Sequence, residues 1–235
     1  MTYYSQYDQD KLVDKLLMRK KNGVFVEFGA NDGVTLSNTY FFEKERKWTG
    51  LCVEPIAESY EKLKNNRKCH VVKGCISDSK SPKKFMQITG YAEMLSGIVD
   101  TYDPRHLEWV LDTIKIHGGT YLEIEIECYL LNDLLEKFDI KEVDFCSVDT
   151  EGGELLILQT IDFDKFKFGF FCIENVHGDD GVEIFLASKK FKKIIALKSD
   201  DIYINLDYYN YKIKLIMIQI KIASLFNKIK LKFFN

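Results

Sequence analysis

Short apolar runs in this 235-residue sequence end repeatedly in a carboxylate, at Glu27, Glu54, Asp149 and Glu174. The runs are rich in β-branched and aromatic residues, which is typical of buried strands. The carboxyl ends of parallel strands meet at one edge of a sheet, and open α/β sheets bind their ligands at that edge. The predicted crevice is acidic and therefore suits a cationic ligand.

A glycine-bounded turn follows the first of these runs. The segment Glu27-Phe28-Gly29-Ala30-Asn31-Asp32-Gly33 is followed by apolar residues at helical spacing from Val34 to Glu45. Strand, turn and helix form the first half of a βαβ unit, where nucleotides bind. Asn31 occupies the middle glycine position of the dinucleotide motif, and asparagine tolerates the left-handed backbone of such a turn. The alternative is a turn that contacts no ligand.

The next two runs suggest how a nucleoside would be held. Glu54 lies 21 positions after Gly33, close to the roughly 20 residues at which an acidic side chain reaches a ribose diol. Ile76, Ser77 and Asp78 follow the third run, where an apolar side chain and polar neighbours would edge an adenine. An ordinary polar turn explains these three residues equally well.

Two further turns are acidic. Asp149-Thr150-Glu151-Gly152-Gly153 follows a buried run, and its paired glycines let the backbone approach a ligand. Glu174-Asn175-Val176-His177 follows the next run. Residues 79–119 have weak periodicity, which favours a substrate-side insertion or lid. His106 and His117 fall in this segment and are interpreted as surface histidines.

Composition excludes some function classes. Residues 1–207 carry 27 basic and 36 acidic side chains, a net charge of −9, which argues against nucleic acid as a partner. The six cysteines form no C-x-x-C pair, so buried free thiols in a reducing compartment are expected. The N-terminal residues lack a signal-peptide pattern, and we expect a cytoplasmic protein.

The C-terminal segment, residues 208–235, is basic and amphipathic. Six lysines follow the last acidic residue, Asp207, and an apolar stripe has spacings of three and four residues. The stripe consists of Tyr211, Leu215, Ile218, Ile222, Leu225, Ile229 and Phe233. The lysines interrupt any apolar stretch long enough to cross a membrane. Such a helix could lie on an anionic membrane, pair with a second subunit or fold back on the core, and packing against protein is our preferred interpretation.

Three long motifs resemble a known family. Gly23 to Val34 with Ser37-Asn38-Thr39, Trp48 to Pro55, and Asp144 to Glu154 are similar to the FkbM family of S-adenosylmethionine-dependent methyltransferases. Ser5-Gln6 and Gln9-Asp10 also resemble that family's N-terminal pattern. The resemblance extends over residues 5–206 and does not reach the C-terminal segment.

The resemblance implies a fold and a reaction. The fold would be an α/β, Rossmann-like class I methyltransferase, with a seven-stranded, mostly parallel sheet, the last strand antiparallel and helices on both faces. Residues 1–207 would form the methyltransferase domain. The reaction would transfer a methyl group from S-adenosylmethionine to a hydroxyl oxygen, commonly on a sugar or a polyketide-type metabolite. The sulfonium charge of the donor explains the acidic crevice.

Site residues follow from the same resemblance. Residues that would hold the methionine and ribose portions are Glu27, Gly29, Asn31, Gly33, Ser37 and Asn38. Glu54 would bind the ribose hydroxyls, Ile76, Ser77 and Asp78 the adenine, and Asp149 would lie beside the donor. A sugar hydroxyl is a weak nucleophile, so its proton must be removed by a base or its oxygen bound by a metal.

Two arrangements for that proton remain open. In the first, which we favour, Asp149 or His177 is the general base, with Glu174 beside it. In the second, Asp149, Glu174 and Asn175 form an all-oxygen set for Mg²⁺. Two other functions also remain: a catalytically silent methyltransferase fold that binds a partner through its C-terminal helix, and a dehydrogenase, which Asn31 disfavours.

Overall fold

The computed structural model describes residues 1–220 and contains a central seven-stranded sheet. Its strands, in spatial order, are β11, β12, β10, β9, β1, β2 and β3. The strands of the chain are β1 (Val24–Phe28), β2 (Thr49–Glu54), β3 (His70–Lys73), β4 (Cys75–Ile76), β5 (Lys83–Gly90), β6 (Gly97–Ile98), β7 (Gly119–Ile126), β8 (Cys128–Tyr129), β9 (Glu142–Val148), β10 (Lys167–Glu174), β11 (Phe191–Leu197) and β12 (Asp200–Asn205).

The sheet has the predicted mixture of directions. β1, β2, β3, β9 and β10 pair in parallel, and β12 runs antiparallel to both β10 and β11. Two residues, Lys198 and Ser199, join β11 to β12, and so short a connection permits only an antiparallel pair. The chain order in the sheet reverses at β1 and β9, which is where open α/β sheets form a crevice. The α/β fold predicted from the sequence is confirmed.

Helices cover both faces of the sheet. Two separate apolar clusters lie on opposite faces, as β10 shows: Phe171 and Ile173 belong to one cluster, whereas Phe170 and Cys172 belong to the other. Alternation along a strand that is buried on both faces explains why the run reads as continuously apolar. The helices are α1 (Gln9–Leu16), α2 (Tyr40–Arg46), α3 (Ala57–Asn66), α4 (Pro104–His117), α5 (Leu131–Lys137), α6 (Glu154–Gln159) and α7 (Gly181–Ser188).

The helix predicted to begin at Val34 begins six residues later, at Tyr40. The intervening residues form a loop whose polar side chains turn inward to Glu27. Ser37 Oγ also accepts a hydrogen bond from Tyr40 N at 3.0 Å, which helps to start the helix. The helical spacing in the sequence extends upstream of Tyr40. Ser37 and Thr39 nevertheless stay outside the helix, because they donate hydrogen bonds to the buried Glu27 carboxylate.

The segment 79–119 is more regular than its sequence indicated. β5, β6 and β7 form a three-stranded antiparallel sheet with β5 in the middle, and α4 packs beside it. β7 lies at the edge of this sheet, and its glutamates Glu123 and Glu125 are exposed. The periodicity of α4 is weak because the helix buries only His106, Val110 and Thr113, while Trp109, Leu111 and Ile116 stay exposed. We call this three-stranded sheet with α4 the insertion.

Residues 211–220 form a helix that folds back on the domain. Asn210 Oδ1 accepts hydrogen bonds from Lys212 N at 3.0 Å and Ile213 N at 3.2 Å, and so caps the helix. Ile213 and Met217 are buried in the apolar cluster that also contains Val13 and Phe41. This part of the segment therefore packs on the core through Ile213 and Met217. The residues of the predicted stripe that fall here, Tyr211, Leu215 and Ile218, are exposed instead. The rest of the predicted stripe, from Ile222 onward, lies outside the described residues.

Candidate active site

A cleft of about 720 Å³ opens at the carboxyl edge of the central sheet. The ends of β1, β2, β9 and β10 form its floor, and residues of the insertion, among them Gln87, Thr89 and Trp109, form part of its wall. Ten of the sequence-predicted site residues line it. They are Glu27, Gly29, Asn31, Ser37, Asn38, Glu54, Ile76, Asp149, Glu174 and His177.

Four other predicted residues do not line the cleft formed by residues 1–220. Gly33 lies behind the turn, where a Cβ would meet Leu63 Cδ1 at 2.6 Å. Ser77 is buried and donates to Asp78 Oδ1 at 3.0 Å. Asp78 faces solvent and pairs with Lys83, whose ammonium group lowers the pKa of Asp78. Asn175 is the fourth.

Asn175 is occupied by its own turn. Its Nδ2 donates to Asp201 Oδ2 at 2.9 Å and to Asp179 O at 3.1 Å, and its Oδ1 accepts from Asp179 N at 2.9 Å. The structure therefore does not bring Asn175 into one set of ligands with Asp149 and Glu174. Glu151 takes that place, because Asp149, Glu151 and Glu174 have carboxylate oxygens within 4.8 Å of one another.

The first glycine turn is held tightly under the cleft. Gly29 has φ +66°, and a Cβ at this position would lie 2.2 Å from Asp149 O, so only glycine fits. Asn31 has φ +47°, the left-handed backbone expected from its side chain. The close approach of Gly29 to Asp149 brings the glycine turn and the second acidic turn, residues 149–153, together at the floor of the cleft.

Glu27 organises the loop that follows this turn. Its carboxylate accepts hydrogen bonds from Ser37 Oγ at 2.9 Å, Asn38 N at 2.8 Å and Thr39 Oγ1 at 2.7 Å. Arg67 Nη1, whose side chain is fully buried, lies 3.3 Å from Glu27 Oε2. Arg67 also binds Glu43 at 2.7 Å. No sequence signal marked Arg67, because its partners come together only in the fold.

Glu54 is buried at the end of β2. Its two oxygens accept hydrogen bonds from Asn31 N and Ile56 N, both at 2.8 Å. Burial raises the pKa of Glu54 to about 7, although the two hydrogen bonds favour the ionised form. The Glu54 carboxyl therefore favours a bound proton, and it also favours hydrogen-bond donors such as the two hydroxyls of a ribose.

The acids that follow β9 and end β10 have a different character from Glu27 and Glu54. Burial and the neighbouring carboxylates raise the pKa of Asp149 and of Glu174 well above the usual range. Many protein atoms lie around the Asp149 side chain, yet it remains exposed to water through the mouth of the cleft. A ligand bound in the cleft would complete its burial. Asp200 also lines the cleft, is buried, and accepts a hydrogen bond from Gln9 Nε2.

His106 lies in this acidic group, and its interpretation as a surface histidine is wrong. It is buried, it lines the cleft, and its Nε2 lies 2.7 Å from Glu151 Oε2. Burial raises the pKa of Glu151, and the contact with His106 partly offsets this effect. Glu151 has φ +58°, an uncommon backbone for glutamate that aims it inward from the turn.

His177 lies next to His106, whereas His117 lies on the surface. His177 lies with its ring nearly perpendicular to that of His106, the ring centroids 6.0 Å apart. Its Nε2 is buried and has no hydrogen-bond partner among residues 1–220, with Asp103 Oδ1 at 3.9 Å. His117 is exposed and stacks on Tyr91, as expected of a surface histidine.

Two other expectations can be compared with the structure. All six cysteines are free, and five of them are buried, as predicted from their spacing. Within residues 1–220, no helix has the length and apolar character that a membrane crossing requires.

The chain was compared with known protein families, curated proteins and solved structures. No curated protein matches. The chain is similar to a solved METTL16 MTase domain, at 12% identity and a TM-score of 0.46 over 85% of this chain and 66% of that one. It is also similar to a human methyltransferase 10 domain containing protein, at 12% identity and a TM-score of 0.46 over 86% and 81% of the two chains. The chain thus spans slightly less than two thirds of the METTL16 domain.

A family profile matches most of the chain. Residues 27–213, which contain the glycine turn, Glu54, the second acidic turn and His177, match the profile of the Methyltransferase FkbM domain. The chain belongs to the FkbM methyltransferase family, and its fold and family indicate methylation that depends on S-adenosylmethionine.

Proposed function

We propose that this methyltransferase transfers the methyl group to a hydroxyl oxygen of a carbohydrate. The observation that carries the proposal is the group formed by His106, Glu151, Asp149 and Glu174 in the cleft. A hydroxyl must lose its proton as its oxygen attacks, and these side chains can accept it.

The residues of the cleft fit the donor. Gly29 keeps the backbone low enough for a ligand to lie over it, and Asn38 Oδ1 is a buried acceptor without a partner among residues 1–220. Asn38 Oδ1 would accept from the ammonium group of the methionine portion. Glu54 would accept from both ribose hydroxyls. Ile76, which is buried and lines the cleft, would contact the adenine.

The acidic group would favour the charge of the donor. When bound, S-adenosylmethionine supplies an electrophilic methyl group on a positive sulfonium. Burial raises the pKa values of Asp149 and Glu174 in the free protein, and repulsion from neighbouring carboxylates, among them Glu151, raises both further. A positive charge nearby would favour their ionised forms, so binding and deprotonation would reinforce each other.

His106 would take the proton of the acceptor hydroxyl. If His106 Nε2–H donates to Glu151 Oε2, the other ring nitrogen, Nδ1, is the free acceptor. Glu151 would then orient the imidazole and stabilise its charged form. This role replaces Asp149 as the first candidate base and leaves Asp149 as the partner of the sulfonium. His177, with its unpartnered Nε2, is the second candidate.

The wall of the cleft supports a polyhydroxylated acceptor. Gln87 and Thr89 from β5 and Glu93 from the segment between β5 and β6 line it and offer donors and acceptors for hydroxyl groups. Trp109 lines it as well and has 53% of its surface exposed, which leaves an aromatic face available for the apolar face of a sugar ring.

The test begins with the donor. Calorimetric titration with S-adenosylhomocysteine, in parallel with NAD, should show binding of the first compound alone, and Glu54→Ala should abolish it. Transfer of a labelled methyl group to a panel of sugars, amines and thiols should then label sugars, with equal rates in the presence and absence of EDTA.

Each other outcome has a definite meaning. Labelling of amines or thiols would refute hydroxyl methylation but leave the methyltransferase assignment intact. Loss of activity in EDTA, restored by Mg²⁺, would favour a metal held by Asp149, Glu151 and Glu174. Donor binding without transfer to any acceptor would favour the binding-module alternative.

A further inference from the structure

The helix at 211–220 has two apolar faces, and the core covers only one of them. Ile213 and Met217 are buried in the core. Tyr211, Leu215 and Ile218 are 68%, 54% and 52% exposed. We call these three residues the outer face. They are also the first three members of the apolar stripe found in the sequence, so the stripe faces away from the core in this part of the chain.

Lysines border the outer face on both sides. At 100° per residue, Lys212 lies on one side of the line through Tyr211, Leu215 and Ile218, and Lys214 lies on the other. Both lysines are exposed. A helix with a central apolar stripe and flanking lysines is typical of a segment that lies in the plane of a membrane interface, where lysines extend toward the headgroups.

Charge separates this segment from the rest of the chain. No acidic residue follows Asp207, while six lysines do, and residues 1–207 carry a net charge of −9. An anionic surface would therefore repel most of the domain and attract its C-terminal segment. Such a distribution defines an orientation as well as an attraction.

A second copy of the chain fits this face less well. In a symmetric dimer the same patch meets itself, so Lys212 and Lys214 would face the equivalent lysines across an apolar contact. No carboxylate within the segment is available to neutralise them. Anionic phospholipid headgroups supply that charge, and acyl chains cover the apolar side chains.

We propose that the outer face docks the protein on membranes that contain anionic phospholipid. Tyr211, Leu215 and Ile218 insert at the level of the headgroups, and the flanking lysines contact lipid phosphates. The proposal is independent of the acceptor in the cleft. It implies that the methyltransferase works at a membrane surface.

The test uses the full chain and vesicle flotation. Vesicles of phosphatidylcholine with phosphatidylserine should carry the protein, and vesicles of phosphatidylcholine alone should not. Leu215→Ser with Ile218→Ser should weaken binding about tenfold or more, because both side chains lose apolar contact with the membrane. Lys212→Gln with Lys214→Gln should weaken it about fivefold per lysine, and salt should reduce that difference.

A matched control separates the outer face from exposed apolar residues in general. Ile116→Ser with Ile184→Ser replaces two side chains that are 73% and 70% exposed on α4 and α7, and it should float as well as the unaltered protein. Failure of the unaltered chain to float would overturn the proposal. Equal losses of vesicle binding in Leu215→Ser with Ile218→Ser and in the control, Ile116→Ser with Ile184→Ser, would also overturn it. A dimer in light scattering that Leu215→Ser with Ile218→Ser converts to a monomer would also overturn it, in favour of a subunit interface.

Discussion

The carboxylate at the end of β1 and those at the ends of β9 and β10 lie at the same edge of the sheet, yet their surroundings are opposite. Glu27 accepts hydrogen bonds from Ser37, Asn38 and Thr39 and is paired with the buried Arg67. Asp149 and Glu174 lie near other acids, which raise their pKa values together with burial. Hydrogen bonds and a buried ion pair hold the loop after β1 in shape, whereas the acids after β9 and at the end of β10 repel one another until a cation or a proton relieves the repulsion.

The difference indicates how the site divides its work. Acids that are satisfied by hydrogen bonds position the loop over which the donor would lie. Acids that disfavour their charged forms are suited to proton transfer near neutral pH and to partnering a sulfonium. Five experiments test this division and the donor site beside it, from the largest expected effect to the smallest.

His106→Asn should lower kcat by about 10²–10⁴-fold, because it removes the proposed base that contacts Glu151 of the second acidic turn. Affinity for S-adenosylhomocysteine should change little, since the proposed role of His106 is to accept the proton of the acceptor hydroxyl and not to bind the donor. Steady-state kinetics and calorimetry measure the two quantities. His117→Asn, on the exposed end of the same helix, should have neither effect. An unchanged kcat in His106→Asn would remove His106 as the base, and His177→Asn would then be the next variant.

Arg67→Met should reduce the free energy of unfolding by about 3–5 kcal/mol, because it leaves the buried carboxylate of Glu27 without its charge partner. Urea denaturation measures the loss. Lys165→Met removes an exposed pair with Glu136 and should cost less than about 1 kcal/mol. Similar losses in the two variants would contradict the view that the first turn is held by its buried charges.

Glu54 should make stability depend on pH. Its pKa is about 7 in the folded protein and 4.5 for an ordinary glutamate in water, so the stabilising effect of its proton is fully present below pH 4.5 and is lost as the pH rises through about 7. The difference corresponds to about 3 kcal/mol. Urea denaturation of the unaltered protein and of Glu54→Gln, across this range, isolates the contribution.

The same group should control donor binding in the opposite direction. Affinity for S-adenosylhomocysteine should rise with pH through about 7, because ribose hydroxyls donate to the ionised carboxylate. Glu54→Gln should bind weakly and without this dependence. A pH-independent affinity in the unaltered protein would separate Glu54 from the ribose.

Asp78→Asn should change donor affinity by less than about twofold, because Asp78 is exposed and its pairing with Lys83 is worth little. Ile76→Ala is the matched comparison, since Ile76 is buried and lines the cleft. Calorimetry should show a clear loss for Ile76→Ala alone. A comparable loss in Asp78→Asn would restore the adenine contact expected from the sequence.

Regular elements were predictable where one strong pattern acted alone. The apolar runs that became β1, β2, β9 and β10 are buried on both faces, so nothing competes with their strand propensity. α2 was extended too far upstream because Glu27 draws Ser37 and Thr39 into a loop. α4 was missed because its buried face is narrow.

The site residues divide along the same line. Glu27, Gly29, Asn31, Glu54 and Asp149 were found because each lies at or next to a strand end, and strand ends meet at one edge of the sheet. Arg67, His106 and Asp200 were missed as members of the site. Each reaches it from a distant element, and the sequence near each of them carries no mark of its partner.

The sequence by itself determined the α/β fold, the acidic edge of its sheet and the family, because local patterning and strand order suffice for these. Only the tertiary structure decided which carboxylates are satisfied and which are left in mutual repulsion. It also decided which face of the C-terminal helix meets the core. The reason is physical: burial, pKa and the pairing of charges depend on distances between side chains far apart in the chain, and only packing sets those distances.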